Sequence, residues 1–368
     1  MCAPDRSTPP ESRAEEIERP STRATATPAA QPHPFSVMPA CEAVARRVVA
    51  IVVNWNGGAH LQRCVDALLE QTTAPSQIIV IDNASTDDSL RILPTAPTVR
   101  VERLSTNTGF AAACNLGVRL ASDADWIALV NPDAFPDVRW LANLLTASER
   151  HPEYSFFASR QLLASHPDRV DGAGDIYSVA GRAWRRFNGA LASRVDVAES
   201  REVFGPCAAA ALYSREVWID AGGFDESFFC YFEDVDLAFR LRLAGQRCLY
   251  VPEAIVHHVG SASMGRHSEF ASYHGHRNLV WCWFKNMPLS LLLIYWPWHV
   301  LLNVLTVGEY ARRGELRVVL RAKRDALRGL RAVLRQRRHV QSTRTVSASV
   351  LRNQMARGRE MFGMWVDP

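Results

Sequence analysis

The amino-acid sequence predicts an α/β fold, a mostly parallel sheet flanked by helices, followed by a C-terminal helical appendage. Three observations carry that expectation. From Val48 onward short apolar runs alternate with helical patterns; three of those runs end in the polar clusters Asn54-Trp55-Asn56, Asp82-Asn83 and Asn131-Pro132-Asp133; and beyond Met287 a long uncharged segment gives way to an arginine-rich one. Alternating strands and helices imply parallel strands covered on both faces. In such sheets ligands bind beyond the carboxyl ends of the strands, so the three clusters mark one edge of the sheet as the candidate site.

The elements follow in order. Residues 1–46, rich in Pro, Ser, Thr and Ala, contain no apolar run able to act as a signal peptide and read as a disordered leader. Val48–Val53 is the first buried strand, and a helical pattern covers His60–Gln71. Ile78–Ile81 is the next strand, the polar turn Asp82–Asp87 leads to a short helix over Ser89–Leu93, and Val99–Leu104 returns as a strand. Phe110–Leu120 is helical and Trp126–Val130 is a further apolar strand. Past residue 150 the periodicity weakens, returning at Cys207–Tyr213 and in a helix over Asp234–Ala244. The segment Met287–Val307 is uncharged apart from His299 and long enough to touch or cross a bilayer, although Pro288, Pro297 and Asn303 make it a poor simple span. From Tyr310 to Val340, ten Arg and one Lys face only Glu315 and Asp325, with Leu316, Val319, Leu320, Leu327, Leu330 and Leu334 at roughly helical spacing. That is a basic amphipathic helix. The expected organisation is therefore 1–46 leader, 47–285 catalytic domain, 286–340 membrane-associating segments and 341–368 tail.

With 368 residues, 48% of them hydrophobic, the chain can bury a sizeable core, so function belongs in a cleft. A formal net charge of +4 is too small to imply a nucleic-acid partner. The eight cysteines form no C-x-x-C pair, which argues against a zinc ribbon or a disulfide scaffold and suits a reducing compartment. Neither G-x-G-x-x-G nor G-x-x-x-x-G-K-[ST] occurs, which counts against dinucleotide oxidoreductases and P-loop kinases. Acidic clusters without cysteine partners suit a hard cation, Mg or Mn, of the kind that neutralises a departing diphosphate. Asp133 and the pair His257-His258 are the candidate ligands.

An ordered series of motifs then resembles a known family, the family 2 glycosyltransferases of GT-A (nucleotide-diphospho-sugar transferase) fold, and within it the rhamnosyltransferase-like branch. The series is VVNWNG (52–57), IDNASTD (81–87), NTGFAAACNLG (107–117), LVNPDAF (129–135), GGFDESFFCYFEDVDLAFRLRLAG (222–245) and HHVGSAS (257–263). The resemblance implies a nucleobase pocket at Trp55, Asp82 and Asn83, with Asn107, Gly109 and Asn115 as the far wall of the donor pocket. Asn131-Pro132-Asp133 occupies the family's DxD position with Asn in place of the first Asp, leaving Asp133 as the charged metal ligand. His258 aligns better than His257 as the second ligand. Asp234 of the ED pair is the implied catalytic base, with Glu233 and Asp236 in support.

The implied reaction is inverting transfer of a sugar, with dTDP-rhamnose the donor the branch points to, onto a hydroxyl of a glycan or lipid-linked acceptor in cell-surface polysaccharide synthesis. Its setting would be the cytoplasm, on the inner face of the cytoplasmic membrane. The rival readings are a sugar-nucleotide pyrophosphorylase, which needs a Gly-rich basic loop where this chain has NWNGGAHLQR, and a non-catalytic glycan-binding or membrane-scaffold protein. The second would be expected to have lost Asp133, Asp234 or His258, and all three are present.

Overall fold

The computed structural model describes residues 46–260 and 268–362. The expected leader, apart from Arg46, lies outside the described residues, as do Ser261–Ser263 of the HHVGSAS motif and the last part of the tail.

Strand β1 (Val48–Asn54) is the hub. It pairs in parallel with β2 (Gln77–Asp82) on one side and β4 (Trp126–Val130) on the other, and β2 pairs in parallel with β3 (Val99–Arg103). All of β1 is buried because both of its faces are covered. Val49, Ile51 and Val53 enter one core with helix α2 (Phe110–Leu120); Ala50 and Val52 alternate into the other with α1 (Gly58–Leu69). This is the period-two signature of a strand between two layers.

Beyond β4 the sheet becomes mixed. β5 (Ala134–Pro136) and helix α3 (Trp140–Arg150) lead to β6 (Phe156–Leu163), β7 (His166–Ala173) and the hairpin of β8 (Asp175–Tyr177) and β9 (Ala183–Arg185). After β10 (Arg201–Val203), β11 (Ala210–Ser214) runs antiparallel between β4 and β6, and β12 (Cys248–His258) lies parallel to β6. The order is β10-β12-β6-β11-β4-β1-β2-β3, with β5 added to β12 and β7 to β6. Helices α4 (Arg215–Asp220) and α5 (Glu233–Leu243) connect β11 to β12.

One expected element is absent. Ser89–Leu93 forms turns rather than a helix, because Asp87 Oδ1 accepts hydrogen bonds from both the backbone N–H and the hydroxyl of Ser89, at 3.2 and 2.6 Å. A side chain that captures the backbone in this way competes with helix formation.

The C-terminal region is helical. α6 (Glu269–Asn286) packs along α8 (Leu316–Ser342), with α7 (Leu289–Arg312) between them in sequence and α9 (Ala348–Asn353) after them. Gly329 of α8 sits where a Cβ would meet Trp281 Cζ2 of α6 at 2.4 Å, so the two helices touch there through a glycine. α7 carries Pro297 in its interior. One face of it is fixed to the catalytic domain: His299 stacks on Trp283 with centroids 4.0 Å apart, and His299 Nδ1 lies 2.8 Å from the Ala180 carbonyl. Its opposite face, including Leu293, Trp296, Val300 and Val304, is exposed.

Candidate functional site

The carboxyl ends of β1, β2 and β4 open into a cleft of about 390 Å³. Trp55, Asn83, Asn107 and Gly109 line one side, Asn131 and Asp133 the floor, and Glu233, Asp234 and His258 the other side. Residues spread over 200 positions of sequence thus meet because the strands that carry them end at one edge.

Asn83 braces the first wall. Its amide donates to Asn107 Oδ1 (3.0 Å) and to the Gly109 carbonyl (3.2 Å), while its Oδ1 accepts the Thr108 N–H at 2.9 Å. Gly109 has φ +87°, and a Cβ there would lie 2.6 Å from the Phe229 carbonyl oxygen. Only glycine tolerates both the dihedral and the approach. Asn131 Oδ1 is buried without a hydrogen-bond partner, a polar atom left at the cleft floor.

Asp133 and His258 form the candidate metal pair, with His258 Nε2 3.4 Å from Asp133 Oδ1. Behind the imidazole, Nδ1 lies 2.8 Å from Oδ2 of the fully buried Asp171, which also pairs with Arg185. A carboxylate on Nδ1 fixes the ring so that Nε2 is presented as a ligand. Burial opposes protonation of His258, yet its hydrogen bonds to Asp133 and Asp171 hold it above its ordinary pKa, so a cation entering there would displace a proton. A carboxylate oxygen and an imidazole nitrogen spaced to share one ion fit a divalent cation such as Mn, and the carboxylate suits Mg as well. No cluster of three His, Cys, Asp or Glu occurs among the described residues, so substrate oxygens and water would complete the shell.

Asp234 begins α5. Its Oδ2 accepts the Ala208 N–H at 3.1 Å and its Oδ1 the Val235 N–H at 2.8 Å. Burial pushes its pKa above the ordinary carboxylate range against the pull of these bonds and of Arg185, which strengthens it as a base. Glu233 is pushed well up by burial and then by Asp234, and its Oε2 has no hydrogen-bond partner.

Four expected site residues do not line the cleft. The Asp82 carboxylate is buried and accepts from Asn54 Nδ2 at 2.9 Å. Asn115 is tied to the turn before α5, donating to the Phe224 carbonyl at 2.8 Å and accepting its N–H at 2.9 Å. Asp236 lies one helical step past the cleft, fully buried between Lys285 (2.8 Å), Arg240 (2.9 Å) and Asn286 (2.7 Å). His257 points to the opposite face of β12 from His258 and pairs with Asp137 at 3.2 Å, since successive strand residues face opposite ways.

The sequence reading missed Asp171, Asp175, Arg185 and the aromatic side chains of Phe229, Tyr231, Phe232 and Phe270. Arg185 and the four aromatics line the cleft; Asp175 is buried nearby, its pKa raised by burial and then by Asp234. Phe229, Tyr231 and Phe232 adopt φ of 66, 68 and 69°. Non-glycine residues so placed cost of order 1–3 kcal/mol each and cluster at functional sites. The signal available was faint: Asp171 interrupts the otherwise apolar Val170–Ala173 run, and FFCYF is an aromatic run directly before an acidic pair.

Comparison with known proteins gives the family and the fold. The family model described as Glycosyl transferase family 2 matches residues 49–219. An N-acetylglucosaminyl-diphospho-decaprenol L-rhamnosyltransferase of Mycobacterium tuberculosis is 32% identical over 254 residues, covering 61% of this chain and 80% of the relative. The O-antigen chain rhamnosyltransferase RfbN of Salmonella typhimurium is 26% identical over 219 residues, 58% of this chain and 66% of that one. Among solved structures, GalNAc-T7, crystallised with UDP, GalNAc and Mn2+, superposes with a TM-score of 0.53 at 17% identity, over 64% of this chain and 47% of that one, a likeness of fold. By motif order, family match and fold, the chain belongs to the family 2 glycosyltransferases and is a rhamnosyltransferase-like glycosyltransferase of GT-A fold.

Proposed function

We propose that this enzyme transfers a sugar from a nucleotide-diphosphate donor to a hydroxyl of a glycan or lipid-linked acceptor, with inversion, in cell-surface polysaccharide synthesis. The observation that carries the reading is the shared cleft: a candidate metal pair, Asp133 and His258, and a buried carboxylate of raised pKa, Asp234, open into the same space. A divalent cation held by Asp133 and His258 would supply charge neutralisation for the departing diphosphate. Trp55 offers a flat apolar face for a base, and Asn131 a free amide oxygen on the floor. Asp234 takes the acceptor hydroxyl's proton as the sugar carbon is attacked. Arg185 is the permanent cation among the described residues lining the cleft and adds positive potential beside the acids. Phe229, Tyr231 and Phe270 add aromatic surface to the cleft lining, suited to the faces of an acceptor sugar. The names of the relatives favour rhamnose as the transferred sugar and a polyprenyl-diphosphate-linked or O-antigen acceptor, and the motif resemblance favours dTDP as its carrier.

The site of work is the cytoplasmic face of the membrane. α7 is 24 residues long, and its most apolar 18-residue stretch has a mean hydropathy of 1.5 and is only 17% buried. Its inner face is held to the domain through His299, and Tyr295 Oη accepts from Arg352 at 2.8 Å. Crossing a bilayer would strip those contacts, so α7 lies along the surface. On α8 the exposed Leu320, Leu327 and Leu334 recur every seven residues, beside arginines that each contribute about 1 kcal/mol near anionic lipid.

The reading is tested with a panel of nucleotide sugars, with and without Mn2+, scored by thermal shift and then by transfer. dTDP-rhamnose should stabilise the protein in a Mn2+-dependent manner, and Asp234→Asn should retain that shift while losing at least about 100-fold in turnover. Turnover of Asp234→Asn within a few-fold of wild type rejects the base. Flotation with anionic vesicles tests the location: wild type should float, and the triple variant Leu293→Glu, Val300→Glu, Val304→Glu should not.

A further inference from the structure

α6 lies outside every motif discussed above and beyond the segment 49–219 matched by the family model. It nevertheless grips the loop that delivers the base. Asn278 is fully buried, and the two N–H bonds of its amide are shared among three backbone carbonyls of that loop within hydrogen-bond reach: Phe228 at 2.9 Å, Cys230 at 3.0 Å and Tyr231 at 2.7 Å. Its oxygen is used as well, accepting from Arg277 Nε at 2.9 Å, and Arg277 Nη2 donates in turn to the carbonyls of Phe228 (2.9 Å) and Ser227 (3.2 Å).

The loop needs holding. Phe229, Tyr231 and Phe232 are left-handed, a conformation bulky residues keep only where their surroundings impose it. On the cleft side the Phe229 carbonyl receives only the Ala111 N–H, at 3.2 Å. Two turns further along α6, Lys285 and Asn286 fix the flanks: Lys285 bonds Asp225 at 2.6 Å before the loop and Asp236 at 2.8 Å after it, and Asn286 bonds Asp236 at 2.7 Å. One helix therefore clasps the loop at its centre and on both sides.

We infer that Asn278 is the positioning residue of the base: its amide holds the backbone of residues 228–232, with its positive φ at Phe229, Tyr231 and Phe232, and so places Asp234 and the aromatic side chains at the cleft. The inference rests on the reading of Asp234 as base. Trp55, Asn83 and Asn131 follow other elements, β1, β2 and β4, and Gly109 is the donor-side residue that abuts the loop, at the Phe229 carbonyl, so loosening the loop should lower kcat far more than donor affinity. A displacement of about 1 Å costs about 100-fold in rate.

The test uses full-length Asn278→Ala and the shape-preserving Asn278→Asp beside wild type and Asp234→Asn. Turnover and KM are measured with dTDP-rhamnose, and thiol labelling by N-ethylmaleimide is followed peptide by peptide. Cys230, within the loop, is the reporter; Cys64 and Cys248, buried in the core, are the controls. Expected for both Asn278 variants are a kcat lower by about 100-fold, a donor KM within threefold of wild type, faster labelling of Cys230 and unchanged labelling of the controls. A folded variant with kcat within threefold of wild type, unchanged Cys230 labelling, or faster labelling of all three cysteines together overturns the inference. If Asp234→Asn keeps its turnover, the base reading fails, and Cys230 labelling alone then decides whether Asn278 holds the loop. If neither Asn278 variant folds, Arg277→Lys, which loses the forked donor, must show the same pattern in weaker form; unchanged kcat and labelling there also overturn it.

Discussion

Asp171→Asn isolates the support behind the metal pair. The wild-type carboxylate, fully buried, receives His258 Nδ1 at 2.8 Å and pairs with Arg185. Asparagine keeps the shape and one acceptor oxygen but removes the charge that makes the imidazole a strong ligand. Loss of such a partner costs about 10- to 100-fold in metal affinity, or about 1.4–2.7 kcal/mol. The Arg185 side chain is 32% exposed, so water relieves part of its lost pairing and the fold should survive, with a stability loss below the about 3–5 kcal/mol of a fully buried broken pair. Free Mn2+ counted by electron paramagnetic resonance during a titration reads the affinity directly, without turnover. Asp137→Asn is the control, because it removes the partner of His257 on the opposite face of the same strand. Mn2+ affinity of Asp171→Asn within twofold of wild type, or an equal loss in Asp137→Asn, would refute the placement of the ion at His258.

Other outcomes follow from single contacts. Gly109→Ala should lower both donor affinity and turnover, since its Cβ meets the Phe229 carbonyl at 2.6 Å and the φ of +87° is strained for alanine; unchanged kinetics in a folded variant contradicts the close approach. Gly329→Leu should prise α8 from α6 at Trp281 and lower the melting temperature by several degrees, measured by calorimetry. Three histidines should each contribute an acid loss of stability between about pH 6.5 and pH 4. Burial lowers His274 to about 4, His276 to about 3 and His299 to about 4, so at these sites the unfolded chain binds more protons in that window and their contribution rises with pH, while the raised carboxyls of Asp175, Glu233 and Asp234 act in the opposite sense. For His299, buried against Trp283, the full effect is at most on the order of 3 kcal/mol. Urea melts of His299→Gln should show a shallower acid loss than wild type, and identical slopes would remove His299 from the account.

The sequence made legible what depends on local period and on strand ends. Continuous apolar runs located β1, β2 and β4, the helical stripe of Phe110–Leu120 matched α2 residue for residue, and the polar clusters at the strand ends pointed to the cleft wall and floor. What stayed hidden depends on contacts between distant segments. Asp171 and Arg185 lie in β7 and β9, short strands of a stretch without periodicity, and their meaning arises only when β7 pairs with β6 beside β12. Asn278 reads as an ordinary helical polar residue until the loop it holds is folded against it. That His258 rather than His257 lines the cleft follows from strand alternation, which needs the register of β12. Asp82, Asn115 and Asp236 carry the residue types of a site but are spent on bracing it.

Gly109 bears on how such an enzyme could be rebuilt. The backbone of the donor loop meets the Phe229 carbonyl with no room for a methyl group, and the Ala111 N–H closes the junction at 3.2 Å. The two loops therefore form a single joint, and transplanting either one from another transferase would bring a curvature its partner does not match. Chimeras that exchange residues 107–111 together with 228–232 should fold where single-loop exchanges do not. Inheritance of donor and acceptor preference would then be linked in this scaffold, with new preferences arising first from side chains pointing into the cleft and only later from changes in the chain's path.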